Sequence, residues 1–357
     1  MRIDRVILRM VTAKLSTPFE NRWQRFETWT KVVVQADSGS ASGFGECTAM
    51  ETPYYNYETI ETAWHILERY LAPLALAGED WAVVNGHEEA KGALECALAD
   101  LRARVAGQPL CVRIGGALRP VRAAATVGIE HSAHALLGAV RTASAAGYGR
   151  VRIKIRPGWD IEPVRLVREA FPAVPLIADA NAAYGAADLD HLSKLDDLGL
   201  LALEQPFGQF MIETSAALQA RMTTAICLDE SVKSAADTAR ALRARACRIV
   251  NIKVGRVGGL AEAVRIHDLC AEHGITNFVG AKYELGLGRW TNLALATLPN
   301  MTLPSDVGPS HRYYVDDGAD PTLEFTRPGW VSPLPAPGIG AVLTSGVSTD
   351  REIAITR

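Results

Sequence analysis

Five charged residues close successive apolar runs at almost constant spacing: Lys154, Asp179, Glu204, Asp229 and Lys253, which are 25, 25, 25 and 24 residues apart. Three carboxylates between two lysines, if brought together, can hold a hard cation and move a proton. Such acids cannot share a dry pocket unpaired, because repulsion and desolvation would both oppose it. A divalent cation resolves the conflict. Oxygen ligands with no His or Cys among them favour Mg²⁺ or Mn²⁺ over Zn²⁺. A lysine beside that cation is expected to have a depressed pKa and to serve as a general base near neutral pH. A substrate carboxylate placed there would gain acidity at its α-carbon, so the expected reaction is proton abstraction α to a carboxylate through an enediolate. Two plainer readings use the same residues. The lysines could simply neutralise the acids in buried salt bridges, and Asp229 could merely cap the helix that follows it.

Each of the five follows a strand-like stretch, for example Leu176-Ile177-Ala178 before Asp179 and Leu200-Leu201-Ala202-Leu203 before Glu204. One strand, one loop and one helix take about 25 residues, and repeating that unit builds a (β/α) barrel whose strand ends meet at one mouth. Lys154 and Lys253 fall on strands two and six, four steps apart in an eightfold ring, so they would approach a substrate from opposite faces. The first barrel strand is expected at 125–129, the seventh at 276–280 and an eighth near 301–303. Helices are expected at 133–146, 161–171, 187–198, 211–221, 234–244, 259–273 and 287–298. The first third lacks this rhythm: strands at 3–11, 31–36 and 43–47, then helices at 57–72 and 87–105, predict an α+β cap. The expected fold is therefore α/β, a modified TIM-type (β/α) barrel with an N-terminal α+β capping domain. Its parts are a cap over 1–122, a catalytic barrel over 123–320, and a Pro- and Gly-rich segment, 321–357, returning to the cap.

A chain of 357 residues suits one barrel plus an accessory domain, and 48% hydrophobic with 22% charged residues is ordinary globular composition. The net charge of −3 favours neither nucleic acid nor an anionic membrane. No apolar run approaches the ~18 residues of a spanning helix, and charges interrupt the first nine residues. Six scattered cysteines without a C-x-x-C pair read as buried free thiols of a cytoplasmic protein.

The quoted motifs resemble the enolase superfamily and its muconate-lactonising subgroup. They are Arg152-Ile153-Lys154, Asp179-Ala180-Asn181, Glu204-Gln205-Pro206, Asp229-Glu230-Ser231 and Lys253-Val254-Gly255-Arg256. Lys154-Ile155-Arg156-Pro157-Gly158, Glu284-Leu285-Gly286-Leu287-Gly288-Arg289, Gly45-Glu46-Cys47 and Pro53-Tyr54-Tyr55 extend the likeness to the o-succinylbenzoate synthase and N-acylamino acid racemase family, over nearly the whole chain. The resemblance implies Asp179, Glu204 and Asp229 as Mg²⁺ ligands and Lys154 and Lys253 as the acid/base pair. It implies a small-molecule carboxylate substrate and a homo-oligomer. Asn181 and Glu230 would be supporting or pocket residues. Two cap loops, 17–28 and 50–57, would close the mouth and bring Phe19, Trp23 and Tyr55 to the substrate, unless these aromatics only pack cap on barrel.

Two departures from the family pattern stand out. Arg152 replaces the first lysine of K-x-K and keeps its positive charge near the pocket. Gly280-Ala281-Lys282-Tyr283-Glu284 stands where the family usually has Gly-Gly-Met-Leu-Glu. Lys282 therefore either points to the surface or recognises an anionic group of the substrate, with Glu284 beside it. Strand seven carries no His, and Ser305-Asp306 offers a single acid, which discounts mandelate-type enzymes and dipeptide epimerases. N-acylamino acid (N-succinylamino acid) racemisation leads. Dehydration to o-succinylbenzoate in menaquinone biosynthesis, muconate cycloisomerisation, and a non-catalytic binding barrel stay open.

Overall fold

The computed structural model describes residues 1–20 and 25–357, apart from the side chains of Phe19 and Glu20. Alternating apolar residues make β1 (Arg5–Glu20), β2 (Arg25–Ser38) and β3 (Ala41–Cys47) into a meander buried on both faces. Val6, Leu8 and Met10 face a cap core, whereas Val11, Ala13 and Leu15 join the barrel core. Of the segment expected to be a loop over 17–28, residues 17–20 belong to β1 and 25–28 to β2, where Phe19 pairs with Phe26 and Glu20 with Arg25, and residues 21–24 lie outside the described residues. The helical half of the cap is α1 (Ile60–Ile66), a π-turn at Leu67–Leu71, α2 (Ala72–Ala77), α3 (Glu88–Val105) and the short α4 (Leu110–Arg113). Helix α3 presses tightly on β3. A Cβ added at Gly45 would lie 2.0 Å from the Ala93 carbonyl oxygen, so only glycine fits.

After β4 (Val121–Arg122) the alternation begins. Strands β5 (Ala124–Val127), β6 (Arg150–Lys154), β7 (Leu176–Asp179), β8 (Ala202–Glu204), β9 (Ala225–Leu228), β10 (Ile249–Ile252) and β11 (Thr276–Val279) form one parallel sheet in that order. Between and after them run α5 (Ala133–Ala145), α6 (Ile161–Ala170), α7 (Leu189–Ser193), α8 (Ile212–Gln219), α9 (Ala235–Arg243), α10 (Leu260–Glu272) and α11 (Gly286–Ala296). The helix expected at 187–198 is broken, with 3₁₀ turns at Ala186–Asp188 and Asp196–Leu198 flanking α7. The eighth strand expected near 301–303 does not form. Single bridges from Asn277 to Met301 and from Ala123 to Ser305 instead carry the chain across the gap between β11 and β5. Short strands β12 (Ala319–Asp320), β13 (Trp330–Val331) and β14 (Val342–Leu343) follow, and β15 (Ser348–Thr356) pairs with β1 in the cap.

Inside the barrel, Ile177, Ala202, Cys227, Ile249 and Phe278 form an apolar plug beneath the mouth. All six cysteines are buried and free. No helix among the described residues is long and apolar enough to cross a membrane.

Cap and barrel are joined through helix ends. Neither α10 nor α11 has a capping side chain at its own N-cap position. Glu95 of α3 accepts from the Leu260 amide at 2.6 Å, and Glu46 of β3 accepts from the Leu285 and Gly288 amides at 2.9 and 3.1 Å. Cap carboxylates thus satisfy the orphan amides of two barrel helices. Burial, reinforced by Glu284 and opposed by Lys31 and the two amides, raises the Glu46 pKa to about 7. The native state therefore holds this proton more tightly than the unfolded chain does, and stability falls as pH rises from about 4.5 through 7. Glu46→Gln is expected to remove on the order of 2 kcal/mol of that loss, read from urea unfolding at pH 5 and pH 8. An unchanged pH slope would show that Glu46 is ionised throughout.

Candidate active site

Strand register builds the site. On β6, Arg150, Arg152 and Lys154 are spaced by two and share the inward face. Lys154 lies opposite Asp179 on β7, which lies opposite Glu204 on β8. Glu204 is paired with Cys227, so Asp229, two residues further, emerges on the same face at the end of β9. Asn251 and Lys253 bear the same relation on β10. The five spaced charges therefore reach one mouth.

Each acid is held by its own cation. The Lys154 ammonium donates to Asp179 at 2.6 Å and to Asn181 Oδ1 at 2.6 Å. Lys253 donates to Asp229 at 2.8 Å, and Arg256 donates to the other Asp229 oxygen. Arg152 donates to Glu204 at 2.9 Å, to Asp306 at 2.5 Å and to Thr126 Oγ1 at 2.9 Å. Asn251 donates to Glu204 at 2.8 Å, and its room is made by Gly280, where a Cβ would lie 2.1 Å from Asn251 Oδ1. The Gln205 side-chain oxygen accepts from the Asp229 and Ser231 amides at 2.9 and 3.2 Å and fixes that turn. Asn181, Ala182 and Gln205 have φ of 42°, 60° and 38°, so two of the loops that leave these strands are strained beside the acids.

The electrostatics follow from this packing. Burial would raise the Asp229 pKa, but Arg256 and Lys253 overcome it and hold the carboxyl far below the usual range. Burial raises Glu204, which Arg152 opposes and both Asp179 and Asp229 reinforce. Burial and the adjacent Asp229 lift Glu230 to about 7, and Asn181 donates to Glu230 at 3.0 Å. At Lys253 two effects compete. Burial favours its neutral amine, but the Asp229 carboxylate outweighs burial and raises the pKa.

Among the described residues, no three acid, imidazole or thiol groups stand as a ready metal cluster. Each acid is turned onto a protein cation instead. The donor set nevertheless suits a hard dication, with three carboxylates on neighbouring strands and the middle one repelled by both others. Asp229 does not cap a helix, since α9 begins at Ala235 with Ser234 as its N-cap.

The remaining candidates are spread around the mouth. Tyr55 reaches it from the cap, and Lys253 donates to its hydroxyl at 3.4 Å. Arg152, with 5% of its side chain exposed, lies beneath the acids and supports Glu204. Lys282 is not surface-directed; it is 5% exposed and its ammonium pairs with Glu89 of α3. Glu284 accepts twice from the Lys282 amide, at 2.9 Å each, and so braces its own loop. Phe19, by its side chain, and Trp23 lie outside the described residues. Sequence reasoning gave no role to Arg256, Asn251, Gln205, Asp306 or Thr126. Period-two spacing before Lys253 points to Asn251; Arg256 sits in the turn after β10, where no strand period applies.

Residues 135–347 match the enolase C-terminal domain-like family. The chain is 42% identical over 348 residues to an o-succinylbenzoate synthase of Geobacillus kaustophilus, covering 95% of this chain and 92% of the relative. It is 41% identical over 351 residues to an N-succinylamino acid racemase of Amycolatopsis sp, covering 95% of each. The chain belongs to the o-succinylbenzoate synthase and N-succinylamino acid racemase family of the enolase superfamily. A crystal structure of an enolase-superfamily member from Listeria innocua superposes with a TM-score of 0.95 at 31% identity, covering 100% of this chain and 99% of that one. The family match begins within α5, whereas the likeness to the synthase and racemase extends through most of the cap. Identities of 42% and 41% do not separate the two reactions within the family.

Proposed function

We propose that this protein is an Mg²⁺-dependent enzyme that removes a proton α to a carboxylate, with N-acylamino acids, N-succinylamino acids foremost, as substrates for racemisation. The observation that carries this reading is the matched placement of two lysines, Lys154 on Asp179 and Lys253 on Asp229, at either end of one row of acids. Asp179, Glu204 and Asp229 would hold the cation, which when bound supplies Lewis-acid stabilisation of negative charge on the substrate carboxylate. One lysine takes the α-proton from one face, leaving an enediolate, and the other returns a proton to the opposite face. Asn181 orients Lys154, and Arg256 keeps Asp229 ionised after Lys253 turns towards substrate. Tyr55 screens the mouth from water. The substrate is a small carboxylate, and the setting is proposed to be cytoplasmic.

Dehydration to o-succinylbenzoate is the second reading, favoured by the 42% identical synthase, since one lysine can act there as both base and acid. Incubation with Mg²⁺ in D₂O tests both. Deuterium at the α-carbon of N-succinylamino acids with loss of optical rotation supports racemisation. A new aromatic chromophore from the hydrated precursor of o-succinylbenzoate supports dehydration. Neither signal, or signals unaltered by EDTA, overturns the proposal. A Tm raised by Mg²⁺ in wild type and not in Asp229→Asn would report the cation site independently of turnover.

A further inference from the structure

The cap segment between Met50 and Thr59, whose ends are joined by a parallel bridge, carries Tyr55 to the barrel mouth, with Tyr54 and Tyr57 more exposed beside it. Two of them meet ammonium groups from three different strand ends. The Tyr55 ring lies 5.3 Å from Lys282 Nζ and 5.9 Å from Lys253 Nζ, and the Tyr57 ring lies 5.8 Å from Lys233 Nζ. Lys282 is fixed from every side. Its amide donates to Glu284, its carbonyl accepts from the buried Lys31 ammonium at 3.3 Å, and its own ammonium is tied to Glu89. Glu89 is fully buried, and its second oxygen accepts from Thr48. The Lys282 ammonium is thus committed to a cap carboxylate in this arrangement. What it faces besides Glu89 is the ring of Tyr55. A buried ion pair stabilises less than two apolar side chains of similar size, and its attested use is to specify one arrangement over others.

We propose that Glu89 and Lys282 form a latch that seats Tyr55, and with it the 50–59 loop, over the barrel mouth. Lys282 is then a positioning residue acting through Tyr55 on Lys253, and its effect on turnover rests on the proton-transfer reading above. Loss of the latch leaves the loop closed for a smaller fraction of the time, which raises KM in inverse proportion to that fraction while kcat changes less.

Lys282→Met alone strands the Glu89 carboxylate and risks unfolding the cap, so the double variant Glu89→Met/Lys282→Met carries the test. Chymotrypsin cleavage after Tyr55, the least exposed of the three tyrosines, reports loop opening without any substrate. The double variant is expected to be cut about tenfold faster than wild type, between the effects of losing an exposed and a desolvated cation–π contact. Its KM for N-succinylamino acids is expected to rise about tenfold, whereas Lys282→Arg with Glu89 kept should stay close to wild type in both. A folded double variant with wild-type cleavage rate overturns the latch. So does a loss of kcat/KM confined to substrates with a second anionic group, which would make Lys282 a substrate contact. If wild type shows no proton exchange, the functional reading fails, and the cleavage rates alone still decide the latch.

Discussion

Lys253→Ala is expected to lower racemisation by about 10²–10⁴-fold while leaving the fold intact. Asp229 keeps its second cation, Arg256, so removing the lysine does not strand a buried carboxylate. Lys154→Ala is similarly buffered, because Arg152 Nε remains 3.9 Å from Asp179. The informative measurement is α-deuterium exchange on each enantiomer separately. Each single variant should lose racemisation yet retain exchange on the one enantiomer whose base survives, and the two variants should retain opposite enantiomers. Wild-type exchange on both enantiomers in either variant would remove that lysine from proton transfer.

Arg152→Met should be the most destabilising single change in the mouth, at roughly 3–5 kcal/mol, because it leaves a buried acid short of its cation. Asp306 keeps Arg150 at 3.2 Å, but among the described residues the remaining hydrogen bond to Glu204 comes from the neutral Asn251 amide, with Lys253 as a more distant cation. Urea unfolding at pH 7 measures the loss. Adding Glu204→Gln to Arg152→Met should recover part of it, since a neutral side chain needs no counter-ion. If the double variant is no more stable than Arg152→Met, the guanidinium matters through packing rather than charge.

How much of this was legible beforehand follows from what sets each feature. The row from Lys154 to Lys253 could be read because strand-end position depends on local apolar runs and a fixed repeat, both written along the chain. The cap helices could be read for the same reason. The missing eighth stave was harder, because Met301-Thr302-Leu303 alternates like a strand, although Pro304 beside it has no amide to continue a ladder. Arg256 had no assigned role because it sits in the turn after β10, and Asp306 and Glu89 had none because their partners lie 154 and 193 residues away. Lys282 illustrates the limit best: its departure from the family pattern was visible, but its partner on α3 was set by how cap and barrel dock.

The sheet that joins Arg9 to Glu352, residues 343 apart, ties the order of synthesis to the order of assembly. A nascent chain carries β1 with a bare edge until the whole barrel has been made, and such an edge is open to foreign strands. Since Glu46 and Glu95 also need barrel amides, the cap gains its full set of partners only when the barrel is present. Residues 1–122 expressed alone would therefore be a poor independent folder, and cap and barrel should melt in one transition.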